Sequence, residues 1–319
     1  AHARGLSVLL DGVFNHVSRR NRIVQDAQSA GPDSDAGRMV RWCAGHFDVF
    51  EGHSDLVALN HDNPAVREHV TRIMNYWCGR GVDGWRLDAA YSVNPEFWAA
   101  VLPSVREKYP DVWIFGEVIH GDYASIVRAS GMDSVTQYEL WKGIWSSIES
   151  RNFFELDHAL GRHNEFSDAF TPMTFVGNHD VTRIASRVGQ DGAVLATAIL
   201  ATIGGIPLIY YGDELAYRGV KEERFGGDDD IRPVFPASPA DLSNLGADTL
   251  RAHQSLLGLR RRHPWLVDAR TESLDLTNER YVYRTGVPGV EPLIVELDVR
   301  DGCSVLIREA GQVVWSSGA

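Results

Sequence analysis

Short apolar segments alternate with amphipathic ones along most of the chain. Mainly apolar runs begin at Leu6, Val112, Met173 and Pro207, and the first of them predicts a strand buried on both faces. Between such runs lie segments with helical spacing, one of which opens at Asn63 with a capping residue followed by proline. The alternation predicts parallel strands joined by helical crossovers, and therefore an α/β fold.

Two stretches depart from this alternation. Residues 17–62 have no regular period, and a loop of this length inside a domain usually has a function. From about residue 266 the pattern changes to short strands separated by Pro-Gly, Asp-Gly and Ala-Gly turns, which predicts a small antiparallel module. We therefore predict a domain over 1–265 that contains an inserted segment, 17–62, and a β domain over 266–319.

Polar residues collect where the predicted strands end. Arg86 and Asp88 lie two positions apart on a strand, so their side chains point to the same face. An arginine beside an aspartate favours the ionised carboxylate, although a structural ion pair would explain this spacing alone. Asp11 ends the first strand and would, taken by itself, more often cap a loop than act on a substrate.

Three carboxylates, Asp88, Glu117 and Asp180, follow three of the predicted strands. In a parallel barrel the carboxyl ends of the strands converge, so we expect these residues to meet in one cleft. Two carboxylates on either side of a bond are the minimal apparatus of glycoside hydrolysis. Asp88 suits the ionised partner, and Glu117, after an apolar strand and with no basic neighbour in sequence, suits the proton donor.

Composition and charge narrow the function classes. The net charge of −12 without a basic cluster argues against nucleic acid and anionic membranes as partners. No apolar run approaches the roughly 18 residues that a membrane span needs. Three scattered cysteines give no disulfide framework or metal motif and favour a reducing compartment, so we expect a cytoplasmic protein.

Taken in order, these segments resemble the α-amylase superfamily of glycoside hydrolases. Four of them are similar to the family's conserved regions, and two more resemble the end of its inserted domain and its last barrel unit. The matching segments are DGVFNH (11–16), GWRLDAAYS (84–92), FGEVIH (115–120), FVGNHD (175–180), ALNHDNPAVREHV (58–70) and GIPLIYYGDE (205–214). The residues of the first and third segments are most similar to those of the neopullulanase and cyclomaltodextrinase branch.

The resemblance implies a (β/α)8 TIM barrel with a short insertion after its third strand and a small C-terminal antiparallel β domain. It implies retaining cleavage of α-glucosidic bonds through a covalent intermediate, with two carboxyls about 5–5.5 Å apart. By position, Asp88 is the nucleophile, Glu117 the general acid/base and Asp180 the carboxylate that stabilises the transition state. The implied substrate contacts are Arg86, which also orients the nucleophile, His16, His179 and Asp11.

Two departures from the family pattern carry expectations of their own. The chain begins at the family's third strand, and because open sheet edges are unfavourable we expect the working protein to be longer. Ala90, Tyr91 and Ser92 replace the Lys-His pair of calcium-dependent amylases. We therefore expect no cofactor or catalytic metal, while structural calcium near Asn15 stays open.

Several alternatives share these residues. A transglycosylase or isomerase would use the same site, because water and a sugar hydroxyl attack the same intermediate. A non-catalytic barrel that serves as a scaffold would be expected to lose carboxylates, yet all three are present. Metal-assisted hydrolysis through Asp11, His16, His179 and Asp180 is chemically feasible and predicts sensitivity to chelators.

Overall fold

The structure of the protein is a computed structural model that describes residues 1–224 and 226–317. The chain forms two compact units, Ala1–Thr136 and Gln137–Ala319. None of the described helices is both long and apolar enough to cross a membrane. The predicted domain boundaries, 1–265 with the insertion 17–62 and then 266–319, stay predictions, and residues 318 and 319 lie outside the described part.

The first unit contains eight strands and four α-helices, counted over its described residues. In chain order they are β1 (Leu9–Gly12), β2 (His16–Ser18), α1 (Arg22–Ala30), β3 (Trp42–Cys43), β4 (His46–Phe47), β5 (Leu56–Ala58), α2 (Pro64–Cys78), β6 (Gly84–Leu87), α3 (Pro95–Arg106), β7 (Trp113–Gly116), α4 (Tyr123–Ser130) and β8 (Ser134–Val135).

Four of these strands form a parallel sheet in the order β1-β6-β7-β8. Gly84 of β6 pairs with Leu9 of β1 and with Trp113 of β7, so the three strands end at nearly the same level. The prediction that the first strand is buried on both faces is wrong, since Leu6 is 58% and Leu9 39% exposed. The apolar run predicts a strand correctly, but β1 lies at the edge of this sheet.

Helix α2 begins as the sequence predicts. Asn63 accepts a hydrogen bond from the N–H of Ala65 at 3.0 Å, and proline occupies the first turn. This satisfies one of the amide groups that a helix start leaves without a partner. In α3 five apolar residues at helical spacing are all buried: Phe97, Trp98, Val101, Leu102 and Val105.

The segment predicted as irregular contains regular structure. Its helix α1 begins at an asparagine cap, Asn21, which accepts from Ile23 at 2.9 Å. Strand β5 returns antiparallel to β2, with His16 opposite Ala58. A 3-10 turn, Phe50–Gly52, lies just before β5. These elements are too short for their periodicity to be recognised from sequence.

The second unit contains four α-helices and seven strands within its described residues. In chain order they are α5 (Tyr138–Ser150), α6 (Phe153–Ser167), β9 (Met173–Phe175), α7 (Ile184–Thr202), β10 (Ile206–Leu208), α8 (Ala247–Arg262), β11 (Arg270–Leu276), β12 (Arg280–Gly286), β13 (Leu293–Asp298), β14 (Ser304–Glu309) and β15 (Gln312–Ser316).

Strands β9 and β10 pair in parallel, and strands β11 to β15 form an antiparallel sheet in sequence order. The predicted antiparallel module is confirmed, although its first strand, β11, gave no recognisable signal because its burial follows no alternation. One hydrophobic cluster joins helices α5 to α8 to this sheet. It includes Leu140, Ile144, Leu156, Leu195, Ile199, Leu256, Leu259, Tyr283, Val295 and Ile307.

A buried arginine fastens α8 to the turn that joins α7 to β10. The guanidinium of Arg260 donates from Nη1 to the carbonyl oxygens of Ala201 at 3.2 Å and Ile203 at 2.7 Å, and from Nη2 to that of Gly205. Burial lowers the pKa of Arg260 to about 10. The side chain thus supplies hydrogen-bond donors to carbonyl groups that the end of α7 leaves without helical partners.

We expect Arg260→Leu to lower the free energy of unfolding by about 3 kcal/mol, because buried carbonyls lose their donors. The neighbouring Arg261 is exposed, and Arg261→Leu is the matched control, with an expected change within about 0.5 kcal/mol. Urea denaturation of both variants measures the difference. Equal losses in the two variants would show that the buried contacts of Arg260 are unimportant for stability.

Candidate active site

Strands β1, β6 and β7 place four ionisable side chains at their carboxyl ends. Asp11 and Arg86 are partners in the β1–β6 register, and Asp88 and Glu117 directly follow β6 and β7. The backbone hydrogen bonds of the sheet continue through both residues. The N–H of Asp88 donates to the carbonyl oxygen of Gly12 at 3.1 Å, and the N–H of Glu117 donates to that of Leu87 at 2.8 Å. Backbone hydrogen bonds therefore fix the main chain of both residues.

One guanidinium group binds all three carboxylates at this edge of the sheet. Arg86 Nη1 donates to Asp11 Oδ1 at 2.6 Å and to Asp88 Oδ1 at 3.0 Å. Its Nη2 lies 2.9 Å from Glu117 Oε1. The predicted contact between Arg86 and Asp88 is confirmed. The sequence did not reveal that the same arginine also contacts Glu117, because that contact depends on the β6–β7 register.

Burial competes with this ion pairing. The pKa of Asp88 is raised above its ordinary value, chiefly by burial and then by the neighbouring Glu117, against the lowering effect of Arg86. Burial also opposes the charge on Arg86, but the carboxylates outweigh it and raise the pKa of the guanidinium. The interpretation that Arg86 holds Asp88 ionised therefore describes only the smaller of two opposing effects.

A strained residue also holds Glu117 in place. The carboxylate is buried, and its Oε2 accepts a hydrogen bond from the N–H of Ala89 at 3.1 Å. Ala89 adopts a left-handed conformation with φ 44° and ψ 39°, which costs an alanine about 1 kcal/mol. Such strain persists where the surroundings enforce it, commonly at functional sites. Here it directs an amide donor at Glu117.

His16 is the first residue of β2, the strand that follows β1. Its ring stacks on Phe50 with centroids 4.6 Å apart, and its Nδ1 lies 3.2 Å from the side-chain amide nitrogen of Asn15. Burial lowers the pKa of His16, which favours the neutral imidazole. Asp88 is among the charges that act on it. A neutral, buried imidazole is suited to hydrogen bonding with an uncharged ligand.

The tip of the inserted segment contacts the loop after β6. The hydroxyl of Tyr91 donates to Glu51 Oε1 at 2.7 Å, and the Tyr91 ring lies 5.6 Å from that of His120. Burial, followed by this hydrogen bond, raises the pKa of Tyr91. Glu51 has φ 48°, a second left-handed residue that is not glycine. Sequence reasoning missed this pair, because 40 residues separate its members.

His179 and Asp180 lie in the second unit, on the loop that follows β9. Asp180 Oδ1 accepts from Arg232 Nη2 at 2.8 Å, and Oδ2 lies 3.0 Å from His179 Nε2. Arg232 Nε also donates to the carbonyl oxygen of His179 at 2.8 Å. This arginine therefore holds both predicted site residues. The expected meeting of Asp180 with Asp88 and Glu117 stays a prediction.

Arg232 was missed from the sequence although a signal was present. It forms an ion pair at 2.9 Å with Asp228, four residues earlier, which is a spacing typical of helical pairs. Asp228 is the first residue of an acidic run, Asp228-Asp229-Asp230, and Arg232 connects it to the Asp180 carboxylate.

A fully buried ion pair lies within the same unit. Arg183 and Asp213 are 0% and 2% exposed, and their Nη1 and Oδ1 atoms are 2.9 Å apart. Burial raises the pKa of Asp213 to about 7, against the lowering effect of Arg183. Gly177 permits this packing, because a β-carbon there would lie 2.4 Å from Asp213 Oδ2. Asp213 is therefore a buried structural partner of Arg183 and not a solvated loop residue.

Within the described residues, no group of three or more His, Cys, Asp or Glu side chains is arranged to hold a metal ion. In the first unit the carboxylates share an arginine instead of converging on an open position. The absence of a cofactor or catalytic metal therefore stays a prediction. Structural calcium near Asn15 likewise stays a possibility that only the sequence raises.

Residues 41–270 match the family model described as alpha amylase, catalytic domain. The chain belongs to this family. It is 31% identical over 255 residues to alpha-amylase 3 of Dictyoglomus thermophilum, covering 70% of this chain and 50% of that protein. It is 30% identical over 286 residues to the maltogenic alpha-amylase of Bacillus acidopullulyticus, covering 84% and 47%. The chain thus spans about half the length of these curated relatives.

Its fold is similar to that of the ligand-free cyclic alpha-maltosyl-(1→6)-maltose hydrolase from Arthrobacter globiformis. The TM-score is 0.83 at 22% identity, covering 99% of this chain and 76% of that one. Together with the family match, this likeness assigns the chain to the (β/α)8-barrel class with a C-terminal antiparallel sheet. The resemblance inferred from the sequence is confirmed.

Removing the shared guanidinium should make stability depend on pH. In Arg86→Leu three carboxylates lose their counter-ion, so the pKa of Asp88, already raised by burial, rises further. A folded-state pKa above the unfolded value gives stability at low pH that is lost as pH rises through the folded pKa. We expect a deficit of about 3 kcal/mol against the unmodified chain at neutral pH, shrinking towards about pH 4.

Urea denaturation of the two proteins across this pH range measures the deficit. Arg67→Leu serves as the control, because Arg67 is exposed on α2 and its loss should change stability little at any pH. A deficit in Arg86→Leu that stays constant with pH would contradict the electrostatic explanation and favour lost packing.

Proposed function

We propose that this α-amylase-family chain is a retaining glycoside hydrolase that cleaves α-glucosidic bonds. One observation carries the proposal: Asp88 and Glu117 follow adjacent parallel strands and bind the same guanidinium group. Two carboxyls bound to one arginine lie close together, and retaining enzymes need a separation of about 5–5.5 Å. Because the chain spans about half of its curated relatives, the activity is a proposal.

In the first step Glu117 donates its proton to the glycosidic oxygen while Asp88 attacks the anomeric carbon. The bond to the leaving sugar breaks, and a covalent ester forms between the substrate and Asp88. In the second step Glu117 takes a proton from water, whose oxygen attacks the same carbon and releases the carboxylate of Asp88. Arg86 fits both steps, since it orients the nucleophile and offsets the negative charge beside it.

The remaining site residues take supporting roles in this proposal. Asp180, fixed by Arg232, is the third carboxylate and stabilises positive charge that develops on the sugar ring. His16 and His179 donate hydrogen bonds to sugar hydroxyls at the cleavage position. Asp11 is kept as a substrate contact, although its bond to Arg86 supports a positioning role equally well.

The proposed substrate is a maltooligosaccharide or a related α-glucan. This rests on the relatives, one named a maltogenic alpha-amylase and another a hydrolase of cyclic alpha-maltosyl-(1→6)-maltose. The acidic net charge of −12 fits an uncharged sugar and disfavours nucleic acid. A cytoplasmic location and the absence of a required cofactor belong to the same proposal.

The decisive test follows maltotriose and the anomer of the first product by NMR. The unmodified protein should release the α-anomer first, because two inversions at one carbon retain the configuration. Asp88→Asn should abolish turnover yet remain folded, since it removes a buried charge beside Glu117. Asp111→Asn, at an exposed position, is the matched control. Early β-anomer, or near-native turnover by Asp88→Asn, would overturn the mechanism.

Glu117→Gln should separate substrates by leaving group. Removing the proton donor should slow cleavage by about 10²–10⁴-fold when the leaving group is a sugar, and much less when it is an acidic phenol. Values of kcat/KM on maltotriose and on 4-nitrophenyl α-maltoside measure the contrast, because kcat/KM reports the first step and not the later one in which Glu117 acts as base. Glu107→Gln, exposed beyond α3, is the control. Equal losses on both substrates would assign Glu117 a role other than general acid.

A further inference from the structure

The hydrogen bond between Glu51 and Tyr91 is not explained by the chemistry of the carboxylates. Phe50, stacked on His16, anchors one side of the turn that carries Glu51. Glu51 itself adopts the left-handed conformation that favours glycine, and Gly52 follows it with φ 80°. An exposed carboxylate is thus held in an unfavourable backbone conformation and directed at one tyrosine hydroxyl. Backbone strain of this kind is commonly retained at functional sites.

Tyr91 lies close to Glu117, the proposed general acid. The N–H of Tyr91 donates to the carbonyl oxygen of Glu117 at 3.3 Å, and the ring of Tyr91 approaches that of His120, three residues after Glu117. A general acid must lie beside the leaving group, and the incoming acceptor later enters the same space. The surroundings of Tyr91 are therefore those of the departing or accepting molecule.

The carboxylate of Glu51 has capacity left for a ligand. Oε1 accepts the Tyr91 hydroxyl, while Oε2 has no hydrogen-bond partner among the residues that the structure describes. A carboxylate accepts several hydrogen bonds, and adjacent sugar hydroxyls are suitable donors. The bond to Tyr91 limits the freedom of the Glu51 side chain before a ligand arrives, which reduces the entropy lost on binding.

We propose that Glu51 and Tyr91 bind the acceptor sugar, with Glu51 Oε2 accepting a hydrogen bond from an acceptor hydroxyl, so that glycosyl transfer to a sugar competes with hydrolysis. The inference rests on the proposed function. In the transfer step the acceptor oxygen bonds to the anomeric carbon, the ester bond to Asp88 breaks and its electrons return to that carboxylate. The hydroxyl proton passes to Glu117.

The test uses α-maltosyl fluoride as donor and glucose as acceptor. Fluoride leaves this donor when Asp88 attacks, so that glucose is the sugar bound on the acceptor side. The ratio of trisaccharide to maltose then reports transfer against hydrolysis. Glu51→Ala should lower this ratio about tenfold, since a hydrogen bond to a charged group is lost, and should raise the apparent KM for glucose more than it changes kcat.

Three further variants test whether the pair acts as a unit. Tyr91→Phe keeps the ring and should lower the ratio severalfold, while the double variant should be no worse than Glu51→Ala, because both changes break one interaction. Glu51→Gln retains an oxygen acceptor for Tyr91 and should lie between Glu51→Ala and the unmodified protein. If Glu51→Ala does not fold, Glu51→Gln is the variant that tests the proposal.

Matched controls are Glu68→Ala and Tyr76→Phe, which alter an exposed carboxylate and an exposed tyrosine on α2 and should leave the ratio unchanged. Fluoride release with an unaltered product ratio in the Glu51 and Tyr91 variants would overturn this inference and leave the proposed hydrolase intact. If the unmodified protein releases no more fluoride than Asp88→Asn, both proposals fail.

Discussion

The contact of one arginine with three carboxylates is the interaction on which the candidate site depends. Three negative groups at the ends of neighbouring strands repel one another, and burial makes the charges of Asp88 and Glu117 more costly. Arg86 makes their proximity tolerable by donating to all three from one rigid, planar group. Its position on the central of the three strands follows from the register, which sets Asp11 on one side and Phe115, two residues before Glu117, on the other.

The arrangement leaves Asp88 and Glu117 unequal despite their shared partner. Asp88 accepts from Arg86 at 3.0 Å and is partly exposed, whereas Glu117 is more deeply buried and gains a second donor from the strained turn at Ala89. Two strained residues, Ala89 and Glu51, lie in the loop after β6 and in the inserted segment that contacts it. Left-handed strain is thus present beside the two carboxylates, as it is at Ala44, Arg151, Ala216 and Ala310 elsewhere in the described part of the chain.

Sequence reasoning succeeded where local signals determine structure. The cap of α2 at Asn63 follows from capping chemistry, and the antiparallel module near the end of the chain follows from its turn signals. The contact of Arg86 with Asp88 followed from strand alternation alone. Contacts set by tertiary packing could not be predicted. Neither Arg86 with Glu117 nor Glu51 with Tyr91 leaves a local pattern, and the edge position of β1 depends on which strands pair.

The hydrophobic cluster of the second unit has a consequence for how that part of the chain unfolds. Side chains from helices α5 to α8 and from the antiparallel sheet belong to one continuous core, so the change of secondary structure near residue 266 does not mark the end of a core. Elements that share a core lose their packing together. The sheet and these helices should therefore unfold in one cooperative transition. A substitution that destabilises the sheet should also destabilise the helices beside Asp180.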